Sequence, residues 1–417
     1  MKKLVTLYKD AFSGLSRDIW LLTLVTLINR IGTMVVPFIA IYLKDDLGFS
    51  YLQTGIIMSF FGVGSVVGSY IGGLLTDTVG HYRTMFWSLL LGGCALFNLL
   101  FINTFEMWCF GVFMVTAIGD CFRPASMAAV GFYSKEGNRT RSLGLIRLAI
   151  NLGFGLGPAF GGILAASLGY DWLFIIDGVT CIFAAFTFLI VLKDKHRPEQ
   201  SDETTISDKN STNQNIKTGK PPSPYKDNWF MAFVFFCFLN SIVFMQFMGT
   251  LTVFYKEELC FSESEIGMLL AMNGLIISVI EMPLIFVLEK RKNILTMIAM
   301  GIFLTGMCYE LLTWTSWAGI AVISMLCLTF GEIINFPFAA SFSLSRATEK
   351  NRGAYMGLYG LSFSVGHIIA PILGMKVVQI YGYDVLWHGM GILALISLLG
   401  VLFVQKGMKK VESVGVV

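Results

Sequence analysis

The sequence predicts an all-α membrane protein whose twelve transmembrane helices form two pseudo-symmetric six-helix bundles. Three observations carry that expectation. The 417 residues are 55% apolar and only 14% charged, with a mean hydropathy of +0.71, a composition outside the range of ordinary soluble enzymes. Twelve apolar stretches recur, near 18–43, 52–75, 85–103, 107–131, 143–168, 172–192, 229–255, 265–288, 293–313, 317–343, 353–378 and 384–405. Stretches of eighteen or more residues can cross about 30 Å of hydrocarbon, and they must be helices because lipid-facing backbone satisfies its hydrogen bonds internally. Finally, the chain repeats itself at an offset of 213 residues. Asn138-Arg139 meets Asn351-Arg352, Gly144-Leu145 meets Gly357-Leu358, Pro158 meets Pro371, and Gly169-Tyr170-Asp171 meets Gly382-Tyr383-Asp384.

The halves are expected at 1–192 and 229–417, the second ending in a short cytoplasmic tail. Between them, 193–228 is rich in Lys, Ser, Thr, Asn and Pro and reads as a flexible cytoplasmic linker. Basic residues set the orientation. Lys2, Lys3, Lys9 and Arg17 precede the first span. Lys135, Arg139 and Arg141 lie between spans four and five, Lys290, Arg291 and Lys292 between eight and nine, and Arg346, Lys350 and Arg352 between ten and eleven. The opposite loops hold little beyond Lys44, Lys256 and Lys376. The positive-inside rule then puts both termini in the cytoplasm of a plasma (inner) membrane protein. The net charge of +3 follows from this bias and points to no nucleic-acid partner. Eight scattered cysteines without ligand spacing read as packing residues, with no metal and no cofactor expected.

The first span carries Arg30, Gly32 and a proline, Pro37, that should kink it. An intramembrane cation needs a partner or a watery cavity, although snorkelling to the interface is the plainer alternative. At the end of the second span stands Gly73-Leu-Leu75-Thr-Asp77-Thr-Val-Gly80-His-Tyr-Arg83. This resembles the signature loop G-x-L-x-D-x-x-G-x-x-R of the major facilitator superfamily, with Thr78 and His81 standing where the family usually carries basic residues. The resemblance implies a gate in which Asp77 locks the cytoplasmic side with basic residues and a helix end.

In the fourth span Asp120 and Arg123 are three residues apart and share a helix face. They form either a neutral structural pair or a charge cluster facing a cavity. The fifth span holds Arg147, Asn151 and the stretch Gly153-x-x-x-Gly157-Pro158-x-x-Gly161-Gly162. Small residues every fourth position allow close helix crossings in lipid. The stretch is also similar to the fifth-helix motif of the drug–proton antiporter branch. Its echo in the eleventh span, Ser362, Gly366, Ala370 and Gly374, suggests that both faces let the halves close tightly.

The second half adds Gln246, Asn273, Glu281 two residues before Pro283, and Glu310 near a helix end. In the tenth span, Gly331-Glu332 and Pro337 parallel Gly119-Asp120 and Pro124, with Asn335 three residues beyond Glu332. His367 and His388 are further titratable groups.

Over nearly the whole chain, this pattern resembles a major facilitator transporter, and the resemblance implies the major facilitator fold with sites at the interface of the halves. A carboxylate there can alternate between dry and paired or hydrated states, taking a proton on one side and releasing it on the other. Glu332 is the first candidate for proton coupling and Asp120 the second, with Arg30 or Arg123 modulating them and Glu281 and Asn335 beside the cavity. The resemblance implies a proton-coupled exporter of small lipophilic molecules, and a monomer is expected. Import of a small nutrient on the same fold is the alternative, although the E-x-x-E-R signature of peptide transporters is absent from the first span. A membrane-embedded sensor or enzyme is a remote alternative. No HExxH, GxSxG or Walker A sequence is present, so neither those hydrolytic chemistries nor ATP as direct energy source is expected.

Overall fold

The computed structural model describes residues 14–135, 138–194, 223–289, 293–315, 317–348 and 351–413. Most of the expected linker, together with Lys2, Lys3, Lys9, Lys290, Arg291, Lys292 and Lys350, lies outside the described residues. Helices α1 (Arg17–Gly32) and α2 (Ile39–Asp45) form the first span and α3 (Tyr51–Thr78) the second. Next come α4 (His81–Leu99), then α5 (Phe105–Gly119) with α6 (Phe122–Tyr133), α7 (Arg139–Leu168) and α8 (Asp171–Val191). The second half begins with α9 (Asn228–Met245) and α10 (Thr250–Glu257), followed by α11 (Glu263–Glu289), α12 (Ile294–Leu312) and α13 (Gly319–Ser345). A last helical run, α14 (Arg352–Ser413), folds back on itself at Gly382 and holds spans eleven and twelve.

By length and hydropathy alone, nine helices among the described residues qualify as spans. The number reaches twelve because α14 holds two, the broken α1–α2 pair makes one, and α4 is long enough although more polar. Local chemistry explains the ends. Ser16 caps α1 by accepting from the Ile19 N–H, and Ser50 with Gln53 forms a reciprocal capping box on α3.

The repeat extends to the irregularities. Around Pro37 the first span leaves the helix, since proline offers no N–H; the Thr33 hydroxyl and the Met34 N–H turn back to Arg30 O and Gly32 O. The seventh span breaks at the matching place, where a 3-10 turn over Gln246–Met248 separates α9 from α10. The bend after the fifth span is made at Gly169 (φ 91°) and the bend after the eleventh at Gly382 (φ 82°). Only glycine takes that left-handed conformation without a steric penalty, which is why both copies keep it.

The period-four glycine stripe has a different task from the one expected. A Cβ on Gly153 would overlap Arg30 Cβ, one on Gly157 would lie 3.0 Å from Ile31 O, and one on Gly161 2.8 Å from Met34 Cβ. The stripe therefore seats α7 on the first span, inside its own half. Likewise Gly366 lies on Ser241, and Gly374 on Gln246 and Thr250. The halves meet on the opposite flank. There a Cβ on Gly155 would lie 3.1 Å from the Gly274 backbone, Pro158 and Gly162 face Gly267 and Glu263, and Gly55 of α3 faces Pro371 and Met375. Successive residues advance 100° around a helix, so Gly153 and Gly155 point to opposite sides.

These cross-half contacts occupy the part of the molecule away from the chain ends. Towards the face that carries both ends, Gly73, Gly144, Gly357 and Gly360 have no neighbour within 4 Å of a Cβ position. The hydrogen bonds and ion pairs seen between the halves run from Lys44–Glu257 and Tyr170–Glu263, on the side away from the chain ends, through Ser59–Ile368 to Arg147–Glu281. The bundles are thus closed on that face and parted on the terminal face.

Candidate functional site

A polar cluster spans the two bundles where they begin to part. Arg147 of α7 forms a 2.5 Å ion pair with Glu281 of α11, and Asn151, one turn further on, donates to the other Glu281 oxygen at 3.1 Å. Arg147 and Asn151 are four residues apart, so one helix face presents both donors to one carboxylate. The Glu281 side chain is 8% exposed, whereas that of Arg147 is 51% exposed. One end of the pair is therefore sealed and the other meets the open path. A carboxylate so enclosed is tolerable only while paired and hydrogen-bonded. Glu332 of α13 lines the same small cavity, about 30 Å³, with Phe336 and Pro337. Asn273 of α11 donates to Thr329 Oγ1, one turn before Glu332 on α13, at 3.0 Å.

A second group lies in the N-terminal half. Asp120 accepts from the Ser65 hydroxyl of α3. Of the two readings of Asp120 and Arg123, the pair is not formed among the described residues. The chain stays helical through the turn at Asp120 and Cys121, and the Asp120 carboxylate is taken by Ser65 instead. Arg123 is exposed and keeps only a backbone hydrogen bond to Asp120 O at 3.3 Å. Arg30 is inside the fold and does not snorkel: its guanidinium lies 5.5 Å from the Phe154 ring centre, and its Nε is buried without a hydrogen bond. Asp177 of α8, 3% exposed, lies beside it against Gly32 of the first span and accepts from the Cys181 thiol at 3.7 Å. His367 packs against Phe61, with ring centres 5.6 Å apart, where the halves meet.

Asn335 turns away from Glu332. A Cβ on Gly301 would lie 2.7 Å from Asn335 Cβ, so Asn335 faces α12. Gly331 and Asn335 form the i, i+4 stripe that packs there, and Glu332 lies to its side, about 100° from Gly331 and about 60° from Asn335. Glu310 pairs with His388 at 2.9 Å.

The closed face carries a polar latch. Lys44 pairs with Glu257, which also accepts from the Tyr51 and Tyr383 hydroxyls, each at 2.6 Å. Lys256 pairs with Glu263 at 2.6 Å, and Tyr170 donates to the same oxygen at 2.7 Å. Lys44, Tyr51 and Tyr170 belong to the first half, and both glutamates belong to the second. Nearby, the Asp46 carboxyl is held above the usual range, first by burial and then by the Asp171 and Asp45 charges. At the parted face, Asp77 is exposed, and no ion pair to it exists among the described residues. Gly80 begins α4 with φ 96°.

Of the residues singled out from sequence, Glu281 and Glu332 come together, and Asp120 and Arg30 lie across the path in the other half. Sequence reasoning gave Arg147 and Asn151 no role and missed Asp177 and the latch. The signal for the latch was present: Lys44 and Lys256 are nearly the only basic residues of their loops, each followed by two carboxylates, and Tyr170 and Tyr383 are 213 residues apart.

The model of the Major Facilitator Superfamily matches residues 22–366. An "Uncharacterized MFS-type transporter YttB" of Bacillus subtilis (strain 168) is 24% identical over 385 residues, covering 90% of this chain and 92% of its own. A "Na(+), Li(+), K(+)/H(+) antiporter" of Planococcus maritimus is 25% identical, covering 81% and 84%. "Quinolone resistance protein NorA" of Staphylococcus aureus (strain MSSA476) is 21% identical, covering 89% and 91%. Among solved structures, peptide transporter POT in complex with sulfate superposes with a TM-score of 0.75 at 16% identity, covering 96% of each chain. A bacterial homologue of the human lysosomal transporter Spinster, in an inward-facing and unoccupied conformation, superposes with a TM-score of 0.68 at 13% identity, covering 93% and 94%.

Proposed function

This chain belongs to the Major Facilitator Superfamily, and on that premise we propose that it exports small lipophilic molecules across the plasma (inner) membrane in exchange for protons. Membership makes it an integral membrane transporter of small molecules, not an enzyme. The halves are taken as 1–192 and 229–417, joined by 193–228, with both termini in the cytoplasm.

The observation that carries the proposal is the cross-half cluster of Arg147, Asn151, Glu281 and Glu332 at the inner end of the closed interface. With the terminal face cytoplasmic, the parted bundles admit substrate from inside the cell. A lipophilic cation and a proton are exclusive occupants of one carboxylate, because either neutralises the same charge. Arg147 already answers the charge of Glu281, leaving Glu332 as the exchange site and the Arg147–Glu281 pair as its link to the bundles. Substrate arriving at Glu332 displaces a proton to the cytoplasm. The bundles then rock, the latch on the far face parts, and an external proton returns as the cargo leaves. Asp120, Arg30 and Arg123 supply the facing charges. Asp77 closes the cytoplasmic side in the opposite state, when the parted ends of α3 and α14 meet.

Export is supported by a quinolone resistance protein and a cation–proton antiporter aligning over most of the chain. The test is transport into everted vesicles with tetraphenylphosphonium as probe. Accumulation inside vesicles acidified by respiration is the expected result. Accumulation only when the external medium is the acidic one would assign import.

A further inference from the structure

A lateral groove of about 390 Å³ runs along the outside of the N-terminal half, between α3, α4 and α5. Its walls are apolar, with Ile71 and Leu75 on α3, Val79 just past its end, Trp87 and Leu91 on α4, and Met114 on α5. All six are more than a third exposed, so in a bilayer they face hydrocarbon. One charged side chain lines it, that of Arg83, in the first turn of α4 at the terminal face. No ion pair to Arg83 exists among the described residues.

The groove does not lead to the transport path. Its floor is shut where α3 lies on α5 through Gly64, Gly68 and Gly72; a Cβ on Gly68 would overlap the Ala117 carbonyl, and one on Gly72 would lie 2.7 Å from Cys121 O. Such contact between small residues leaves no passage inward. What fits here has a long apolar chain and one anionic group at the depth of the membrane surface.

We propose that this groove is a binding site for an anionic glycerophospholipid, with an acyl chain along α3 and the phosphate on the Arg83 guanidinium. Guanidinium is planar and weakly hydrated, and it pairs with phosphate through two parallel hydrogen bonds. A basic residue at the headgroup level favours anionic lipid by itself. The arginine of the signature-like loop thus has a task distinct from the gate: it holds a lipid against the hairpin that joins α3 to α4. The proposal is independent of the direction of transport and of the coupling ion.

The test uses the purified full chain in neutral detergent, with melting temperature followed as lipid is titrated in. Phosphatidylglycerol and phosphatidylcholine with identical acyl chains are compared for wild type, Arg83→Gln, Arg83→Lys and Met114→Trp. In wild type, half-maximal stabilisation is expected at lower phosphatidylglycerol than phosphatidylcholine. Arg83→Gln should lose about five-fold of that preference and Arg83→Lys should keep most of it. Met114→Trp, which fills the groove, should weaken both lipids, and inorganic phosphate alone should have no effect. Equal response of wild type to the two lipids, or an undiminished preference in Arg83→Gln, would mean that bulk lipid merely covers the groove. Stabilisation by inorganic phosphate alone would assign the site to a free anion and overturn the lipid.

Discussion

The Arg147 guanidinium of α7 and the Glu281 carboxylate of α11 are 2.5 Å apart and belong to different halves of the molecule. Every rocking motion that parts α7 from α11 must break this pair or carry it along. Its position beside Glu332 makes it the natural link between the occupancy of the site and the arrangement of the bundles.

Removing one member leaves the other stranded. Arg147→Met strands the nearly buried Glu281, and a loss of about 1–3 kcal/mol in stability is expected. Transport should be lost as well. The double variant Arg147→Met with Glu281→Gln should recover much of the stability without recovering transport. Thermal melts and vesicle uptake on the four combinations separate the two effects.

The latch on the closed face should set the balance between conformations. Glu257 takes one ammonium and two tyrosine hydroxyls, so Glu257→Gln weakens three contacts at once. A shift of about tenfold towards the state open on that face corresponds to only about 1.4 kcal/mol. Spin-label distances between α2 and α10 across the mouth should lengthen in this variant. Tyr383→Phe, which removes a contact within the second half only, should move them less.

The two flanks of α7 predict two kinds of defect. Gly153→Val drives a side chain into Arg30 inside the first half, and overpacking of this kind costs about 1–3 kcal/mol. Its melting temperature should fall. Gly274→Val instead meets Gly155 across the halves. It should spare the separate bundles but prevent the closed face from forming, so cysteine cross-links across that face should be lost.

Much of this architecture was legible in the chain. Hydropathy marks the spans, the 213-residue repeat pairs the bends at Gly169 and Gly382, and Pro37 marks the break of the first span; the matching break near Gln246 has no proline to announce it. The facing of the glycines was not legible, because a stripe repeating every four residues says that a helix packs closely without saying against which neighbour. Asp120 and Arg123 left two readings open for a related reason: a three-residue spacing puts two side chains on one face without saying whether they turn to each other, and Asp120 turns to Ser65 on α3. The polar contacts of Glu281 and Glu257 join residues more than a hundred positions apart. A local pattern can mark the residues, as at Lys44 and Lys256, but not their partners; those follow from how the two copies are docked.

The most direct test of proton exchange at Glu332 is a measurement of protons released from the purified protein in weakly buffered detergent when tetraphenylphosphonium is added. Wild type should release protons as the cation binds, and Glu332→Gln should release almost none at matched protein concentration. Release that persists undiminished in Glu332→Gln would contradict the assignment and move the exchanging carboxylate to Glu281 or Asp120.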